Sequence, residues 1–382
     1  MLFAWGAGEL LVRLVVPTST VAYRFVPDVG YLLQPNGTFR WVSPDYDVEV
    51  KTNAAGFHDV EHAVAKPAGV YRVVVVGDSM VEALQVPVAE AFTRRLEARV
   101  RAWAGRPVEV INLGVSGKGP AQYLRTLEKV GLAYRPDLVV VAVTLLNDFL
   151  NDVPELERDP AKPYYRLVDG DRLEYLPPGT DAPASRRREE QIRTGTWVKT
   201  ALLRSAFVRS FAERLARWRA ARRARGGGAA AALPVRSEWN VFRAAPRPPW
   251  DEAYRVTLRI LEETKRVAEA AGARVAILVI PPKAIVEDKL DAALRAEGYD
   301  GARGLDLDPE RPGRAIRQLG EAKAIPVIDL GPALRADWQS SGESASWPHD
   351  GHWSPRGHEI AARTLDDWLR QNAARLGLAA QY

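Results

Sequence analysis

Short, unbroken runs of β-branched and other apolar residues recur along this chain, and amphipathic segments separate them. A run without polar alternation is typical of a strand that is buried on both faces. We predict five such strands, which are Arg72–Val76, Val108–Leu113, Leu138–Leu146, Arg274–Ile280 and Val327–Leu330. Helical periodicity predicts helices at Val88–Trp103, Pro120–Leu132, Trp250–Ala271, Pro312–Lys323 and Pro355–Leu376. Strands that alternate with helices in this way predict an α/β fold with a doubly wound parallel sheet.

The alternation stops at about 151–249, a stretch too long for a simple connection between two sheet elements. We interpret this stretch as an insertion over one end of the sheet, with a Pro-rich part and a basic helical part at Thr196–Arg225. Residues 21–66 are predicted to form short strands and loops. The predicted organisation is an N-terminal extension (1–68) packed on a core domain (69–382) that the insertion interrupts.

The formal net charge of +5 is concentrated in the basic helical part of the insertion. Such a helix often lies on its own protein with a solvated charged face, and the alternative is a surface that binds an anionic glycan or an anionic membrane. Specific nucleic-acid binding is not expected, because no recognised motif accompanies the charge.

Cysteine is absent from the sequence, which excludes disulfides, thiolate nucleophiles and metal sites built on sulfur. Residues 1–17 are mostly apolar but include Glu9 and Arg13. Two interpretations stay open: a short amphipathic helix packed on the domain, or the end of a membrane or signal helix. On balance we expect an extracytoplasmic or membrane-associated location rather than a cytoplasmic one.

Polar residues follow three of the predicted strands where ordinary packing does not require them. These residues are Asp78 with Ser79, the segment Asn112–Gly117, and Asn147 with Asp148. Because sites in doubly wound sheets lie beyond the carboxyl ends of the strands, we expect the three segments to meet at one edge. Ser79 is a candidate nucleophile there, and its alternative role is that of a helix N-cap.

A serine hydroxyl needs a general base to act as a nucleophile at neutral pH. Three of the five histidines lie close together near the C-terminus, at positions 349, 352 and 358. Asp350 precedes His352 by two residues, so its carboxylate can bond one imidazole nitrogen while the other faces Ser79. For His349 and His358, the expected alternative to a role in catalysis is a role in packing. A metal site built from His349, Asp350, His352 and His358 is a further one.

Taken together, these residues resemble the SGNH (GDSL-type) hydrolase family. The segment Gly77–Ser79 resembles its first block, Gly114 its second, Asn147 its third, and Asp350 with His352 its last. The resemblance implies a flavodoxin-like three-layer α/β/α fold with a helical insertion. It also implies a triad of Ser79, Asp350 and His352, and an oxyanion hole formed by Ser79, Gly114 and Asn147.

Two further features resemble particular branches of that family. Residues Thr52–Phe57 resemble a segment that precedes the catalytic strand in a bacterial branch. The single residue between Asp350 and His352 resembles relatives linked to exopolysaccharide acetylation. Leu145 and Leu146 depart from the family pattern, which usually has a glycine shortly before the asparagine.

The expected function is that of a serine ester hydrolase that works through an acyl-enzyme on O-acetyl or other small acyl esters of carbohydrate. One alternative is an O-acetyltransferase that uses the same triad to modify a polysaccharide. Another is a non-catalytic binding module on the same fold. Neither a cofactor nor a metal is expected.

Overall fold

The computed structural model describes residues 19, 21–179 and 233–378. Its strands are β1 (Tyr23–Val26), β2 (Gly30–Leu33), β3 (Thr38–Val42), β4 (Asp47–Lys51), β5 (Tyr71–Gly77), β6 (Val108–Gly114), β7 (Leu138–Thr144), β8 (Tyr164–Val168), β9 (Arg172–Leu176), β10 (Arg274–Ile280) and β11 (Val327–Asp329). Its α-helices are α1 (Ser79–Glu82), α2 (Phe92–Arg101), α3 (Pro120–Lys129), α4 (Asp148–Asn151), α5 (Pro154–Glu157), α6 (Trp250–Ala270), α7 (Lys283–Val286), α8 (Leu290–Ala296), α9 (Arg311–Lys323), α10 (Gly331–Ser341), α11 (Pro355–Gln371) and α12 (Ala373–Leu376).

The central sheet has five parallel strands in the order β11-β10-β7-β5-β6. The predicted doubly wound parallel sheet is therefore confirmed, and helices on both faces complete a three-layer α/β/α fold. The strand order reverses between β5 and β7, because β5 is followed along the chain by β6 on its other side. In such sheets this reversal opens a crevice at the carboxyl ends of the two strands.

The consecutive valines of β5 pack on both faces of the sheet. Val73 and Val75 pack in a core that includes residues of α2 and α11, whereas Val74 and Val76 pack in a core that includes residues of α3 and α6. All four side chains are fully buried. A strand buried on both faces tolerates no polar alternation, which is why its sequence is a continuous apolar run.

The observed elements differ from the predicted ones mainly at helix boundaries. The predicted helix Val88–Trp103 is a 3₁₀ turn (Val88–Glu90) followed by α2, with Ala91 in an extended conformation between them. The predicted C-terminal helix breaks at Asn372 into α11 and α12. The helices α8 and α10 were not predicted from the sequence.

The N-terminal extension contributes two antiparallel hairpins, β1–β2 and β3–β4. The segment that follows them is tied to the core by Arg72, whose fully buried guanidinium bonds the carbonyl oxygens of Ala63 (2.6 Å), Val64 (3.0 Å) and Tyr134 (2.7 Å). Arg72 also forms an ion pair with Glu109 at 2.6 Å. These contacts attach the extension to the strands that carry the candidate site.

The described part of the predicted insertion contains the β8–β9 hairpin, which packs on α3 and α6, and a 3₁₀ turn at Glu238–Phe242. The predicted basic helix Thr196–Arg225 and the apolar residues 1–17 lie outside the described residues. Among the helices that the structure describes, none combines the length and apolar character needed to span a bilayer.

Candidate active site

Ser79 is the first residue of α1, directly after the carboxyl end of β5. The N-cap of this helix is Asp78, not Ser79, and its carboxylate accepts a hydrogen bond from the backbone N–H of Met80 at 3.0 Å. The alternative N-cap role of Ser79 is therefore wrong. Within the described chain the backbone N–H of Ser79 has no hydrogen-bond acceptor. The hydroxyl of Ser79 and this N–H are thus available, at the end of a rigid strand, to contact a substrate.

The structure brings Ser79, His352 and Asp350 into one hydrogen-bonded chain. Nε2 of His352 lies 2.8 Å from Oγ of Ser79, and Nδ1 of His352 lies 2.5 Å from Oδ1 of Asp350. The two ring nitrogens therefore have different partners, which fixes the tautomer with the proton on Nδ1. His352 in this form can accept the proton of the Ser79 hydroxyl.

The loop that carries Asp350 and His352 is held by backbone hydrogen bonds. Trp347 N–H donates to the carbonyl of His352 at 2.7 Å, and Gly351 N–H donates to the carbonyl of Trp347 at 3.2 Å. Gly351 has a φ of +84°, a left-handed conformation that glycine adopts without strain. Because α11 begins at Pro355, the loop is short and both of its ends are fixed.

The electrostatics of the pair follow from this geometry. Burial by itself lowers the pKa of His352, but the hydrogen bond and charge of Asp350, together with the charges of Asp78 and Glu82, raise that pKa above its ordinary value. Burial raises the pKa of Asp350, but His352 and Tyr46 outweigh this effect and hold that pKa below its ordinary value. Asp350 is therefore ionised at neutral pH, as a partner of an imidazolium must be.

Asn147 follows β7 and reaches the same edge of the sheet as Ser79. Its side-chain amide donates to Oδ2 of Asp78 at 3.1 Å and lies 3.3 Å from Oδ1 of Asp148. Asn147 occupies the N-cap position of α4, but its side chain makes no cap hydrogen bond there. Asn147 and Ser79 both line the cavity described below.

Gly114 does not fit the predicted role of oxyanion donor. Its N–H is already bonded to Oδ1 of Asn112 at 2.9 Å, and the residue is buried inside β6 opposite Gly77. A Cβ at position 114 would lie 2.4 Å from the backbone nitrogen of Glu82. The reason for glycine at this position is therefore steric, because α1 packs directly on the strand. This prediction from the sequence was wrong.

Gly117 is a better placed glycine in the same segment. It lies in the turn after β6, is exposed, has a φ of +68°, and its N–H has no acceptor in the described part of the chain. The preceding residue, Ser116, donates its N–H to the Glu82 carboxylate at 3.1 Å and also donates its hydroxyl to that carboxylate. The turn is thereby fixed to α1, three residues after Ser79.

Two tyrosines of the N-terminal extension contact the site region, and no sequence motif predicts either contact. The Tyr46 hydroxyl donates to Oδ2 of Asp350. The Tyr23 hydroxyl donates to the Glu82 carboxylate at 3.2 Å. Glu82 is fully buried, and this burial raises its pKa to about 7 against the opposing effect of its hydrogen bonds to Ser116 and Tyr23. Both tyrosines lie outside every motif discussed above.

A cavity of about 540 Å³ opens in front of Ser79, Asn147 and His352. The wall opposite them comes from the end of the insertion and from the segment after β10, and it includes Trp239 and Pro282. Its charged residues are Glu238, Lys283, Glu287 and Lys289.

Three of these charged residues have partners, and Glu238 differs from them. Glu287 pairs with Lys289 at 2.8 Å, and Lys283 donates to the carbonyl of Trp347 at 3.2 Å. No described residue forms a hydrogen bond or ion pair with the side-chain carboxyl group of Glu238. Burial, assisted by the charge of Glu297, raises the pKa of Glu238 to about 7.

The remaining histidines of the C-terminal segment point away from His352. His349 is exposed and pairs with Asp45 at 2.6 Å. His358 is fully buried in the core, where its Nδ1 accepts the backbone N–H of Phe92, and burial lowers its pKa to about 3. In the residues that the structure describes, no group of three or more potential ligands could hold a metal ion.

A family model matches the C-terminal part of the chain. Residues 242–382 match the family model described as SGNH hydrolase-like domain, acetyltransferase AlgX. A search of curated protein sequences found no match. Among solved structures, an acetylxylan esterase from Geobacillus stearothermophilus is 14% identical and covers 82% of this chain and 97% of its own, with a TM-score of 0.40. The acetyl xylan esterase AlAXEase is 13% identical and covers 78% of this chain and 99% of its own, with a TM-score of 0.41. Likeness at this level does not carry a substrate over to this chain.

Proposed function

We propose that this chain is a member of the SGNH hydrolase family and a serine enzyme that transfers an acyl group from an ester through an acyl-enzyme. The observation that carries the proposal is the hydrogen-bonded chain from Ser79 Oγ through His352 to Asp350, with distances of 2.8 and 2.5 Å. A serine, an imidazole and a carboxylate in this order activate the hydroxyl as a nucleophile.

In the first half of the reaction, Ser79 Oγ attacks the ester carbonyl carbon while its proton passes to Nε2 of His352. The tetrahedral intermediate carries its negative charge on the former carbonyl oxygen. We assign the donors that stabilise it to the N–H of Ser79 and the side-chain amide of Asn147, with Gly117 N–H taking the place first predicted for Gly114. When the intermediate collapses, the bond to the alcohol oxygen breaks and His352 protonates the leaving alcohol.

In the second half, a water molecule or another hydroxyl gives its proton to His352 and attacks the acyl carbon. The bond to Ser79 Oγ then breaks, and this oxygen takes the proton back from His352. Asp350 stabilises the imidazolium in both halves and keeps its own charge throughout. Every step uses protons and electron pairs held by these residues and the two substrates, so the cycle needs no cofactor.

The cavity supports a substrate larger than a simple acetyl ester. Its volume of about 540 Å³ leaves room for an alcohol portion of sugar size beside a small acyl group. The wall offers apolar side chains together with an unpaired carboxyl at Glu238, a combination suited to the faces and hydroxyls of a carbohydrate. We therefore propose O-acetyl or other small acyl esters of carbohydrate as the substrate class.

An O-acetyltransferase is the second candidate, and one observation favours it: the family model that matches residues 242–382 describes an acetyltransferase. The two activities use the same residues and differ in whether water or a sugar hydroxyl attacks the acyl-enzyme. Incubation with an activated acetyl ester, with and without a glycan acceptor, separates them. Release of acetate regardless of acceptor supports the hydrolase, and acetylated glycan formed at the expense of acetate supports the transferase.

A third candidate is a binding module without catalysis, and a fluorophosphonate tests it against both enzymes. Such a probe forms a covalent bond with an activated serine and does not require knowledge of the substrate. We expect one labelled peptide, and we expect it to contain Ser79. An unlabelled protein, or a label on another serine, would contradict the enzymatic proposal as a whole.

The basic segment Thr196–Arg225 remains the proposed surface for an anionic glycan or an anionic membrane. Charge reversal at Arg217, Arg219, Arg222 and Arg223 tests it, with binding to vesicles and to an acidic polysaccharide as the measurements. Unchanged binding in both assays would remove this proposal without affecting the proposed chemistry.

A further inference from the structure

The oxygen of Asp350 that does not face His352 has a partner from a distant part of the chain. Oδ1 of Asp350 binds His352, and Oδ2 accepts a hydrogen bond from the hydroxyl of Tyr46. Tyr46 lies in the turn between β3 and β4, 304 residues before Asp350. We infer that Tyr46 is a positioning residue that holds the Asp350 carboxylate in the orientation His352 requires. This inference rests on the proposed function.

The turn that carries Tyr46 is rigid and is joined to the Asp350 loop at more than one point. Ser43 N–H donates to the carbonyl of Tyr46 at 2.9 Å, which closes the turn. The neighbouring Asp45 accepts hydrogen bonds from His349 through its backbone N–H (2.8 Å) and its Nδ1 (2.6 Å). The Tyr46 ring also packs on Trp347, with 5.8 Å between the ring centroids.

The same hairpin also packs next to the nucleophile. Tyr46 belongs to a small apolar cluster that includes Val48 and Val50 of β4 and Leu84, which lies two residues after α1. The hairpin therefore contacts the segment that follows Ser79 as well as the loop that carries Asp350 and His352. A single element of the N-terminal extension thus bridges the two parts of the chain that must meet for acyl transfer.

The hydrogen bond from Tyr46 has two consequences for the chemistry. It restricts rotation of the Asp350 carboxylate, so that Oδ1 stays directed at Nδ1 of His352. It also disperses negative charge from Asp350, which lowers the affinity of His352 for a proton. Removal of the hydroxyl should therefore leave a less ordered but more basic carboxylate, and the pKa of His352 should increase.

Several other groups act on His352 and stay constant in this comparison. They are Asp78 and Glu82 from the β5–α1 segment, His358 from α11, and Asp350 on its own loop. Further charged residues line the same cavity, namely Glu238, Lys283, Glu287 and Lys289. Because none of them changes between the variants below, a shift in the pH profile reports the Tyr46 contact.

The test compares Tyr46→Phe with a matched control, Tyr175→Phe. Tyr175 also donates its hydroxyl to an aspartate, Asp28 Oδ1 at 2.8 Å, and joins the extension to the β8–β9 hairpin without lining the cavity. The measurements are kcat and KM for a small acetyl ester, the pH dependence of fluorophosphonate labelling of Ser79, and the melting temperature. For Tyr46→Phe we expect kcat to fall roughly tenfold with KM unchanged, and the acid limb of the labelling profile to move to higher pH. Tyr175→Phe should have the kcat and the pH profile of labelling of the wild-type protein.

A second pair of variants separates positioning from simple support of the loop. Asp45→Asn weakens the links of Asp45 to His349 and to the backbone of Asp350 but leaves the contacts of the Asp350 side chain unchanged, so it should lower the melting temperature and leave the acid limb in place. A fluorinated tyrosine at position 46 keeps the ring and makes the hydroxyl a stronger donor, so the acid limb should move to lower pH. This variant keeps the inference testable if Tyr46→Phe does not fold.

The inference is overturned if Tyr46→Phe keeps the wild-type kcat and pH profile, or if Asp45→Asn shifts the profile equally. It is also overturned if the fluorinated variant and Tyr46→Phe shift the acid limb in the same direction. Ser79→Ala, measured in parallel, keeps this outcome separate from the proposed function. Full activity of Ser79→Ala would remove both ideas, whereas an inactive Ser79→Ala with an unchanged Tyr46→Phe removes only the inference.

Discussion

The side-chain amide of Asn147 donates a hydrogen bond to the carboxylate of Asp78 at 3.1 Å. This bond connects the loops after β5 and β7, the two adjacent strands between which the strand order of the sheet reverses. Asp78 also accepts hydrogen bonds from Met80 N–H and from the hydroxyl of Thr144, both at 3.0 Å. The buried carboxylate of Asp78 thus links the beginning of α1, where Ser79 lies, to the loop that carries Asn147.

Asn147→Ala should lower kcat by roughly 10²–10³ with little change in KM, because an oxyanion donor acts mainly in the transition state. Steady-state kinetics on an acetyl ester measure this effect. Asn372→Ala is a control, since Asn372 bonds the carbonyl of Trp368 at the end of α11. A loss that appears only in KM would assign Asn147 to substrate binding instead.

Ser79→Ala and His352→Ala should each reduce ester turnover by about 10⁶, and the double variant should be no worse than either one. The reason is that nucleophile and base act as one unit, so removal of one makes the other ineffective. Turnover and fluorophosphonate labelling of the single and double variants check this expectation. Additive losses in the double variant would contradict a shared role.

The rate of acylation should fall as the pH decreases through the pKa of His352, because only the neutral imidazole accepts the Ser79 proton. The partners of His352 raise its pKa above the ordinary value of 6.5, so the acid limb should lie above pH 6.5. Asp350→Asn removes the largest of the effects that raise the pKa of His352. That variant should move the limb to lower pH and reduce the rate by about 10⁴. The pH profile of kcat/KM is the measurement, and a wild-type limb below pH 6.5 would contradict the assigned environment.

Glu238→Gln should raise KM for a glycan ester severalfold and leave fluorophosphonate labelling unchanged, because Glu238 lines the cavity but does not contact Ser79 or His352. With a pKa of about 7, the carboxyl of Glu238 changes its charge near neutral pH, so the wild-type KM should vary there and that of the variant should not. Glu269→Gln, on the exposed side of α6, is the control. Equal KM values for Glu238→Gln and the wild type would remove Glu238 from substrate recognition.

Arg72→Met should destabilise the protein by about 3–5 kcal/mol, since removal of the buried guanidinium leaves Glu109 and three carbonyl groups without their cation. Chemical denaturation gives the free energy of unfolding. Arg255→Met is a suitable control, because Arg255 is exposed at the surface of α6. Similar stability of the two variants would show that Arg72 does not anchor the extension as the contacts indicate.

The strands of the central sheet could be predicted from the sequence because a strand that is buried on both faces requires an unbroken run of apolar residues. The predicted strand Arg72–Val76 is observed as Tyr71–Gly77, and Arg274–Ile280 is observed with the same bounds. The helices α8 and α10 were not predicted from the sequence, because neither has a strong sequence pattern. The first is only seven residues long, and the second, Gly331–Ser341, has no clear apolar face.

The role of Gly114 shows where sequence reasoning fails. A glycine after a strand is compatible with a turn, with an oxyanion donor and with close packing, and the sequence alone does not distinguish these roles. The position of α1 against β6 decides the question, since only the absence of a Cβ allows the helix to approach. Gly117, in the same segment, is exposed, and among the described residues its N–H has no acceptor, whereas the N–H of Gly114 is bonded to Asn112.

The sequence by itself predicted the parallel α/β sheet and proposed Ser79, Asn147, Asp350 and His352 as candidate residues at one edge of it, because apolar runs and short motifs are properties of neighbouring residues. The tertiary structure alone decided that Gly114 serves packing and that Tyr46 reaches Asp350 across 304 positions. The physical reason is that hydrogen bonds and steric contacts depend on distance in space. The distance between two residues far apart in the chain is fixed only when the whole core has packed.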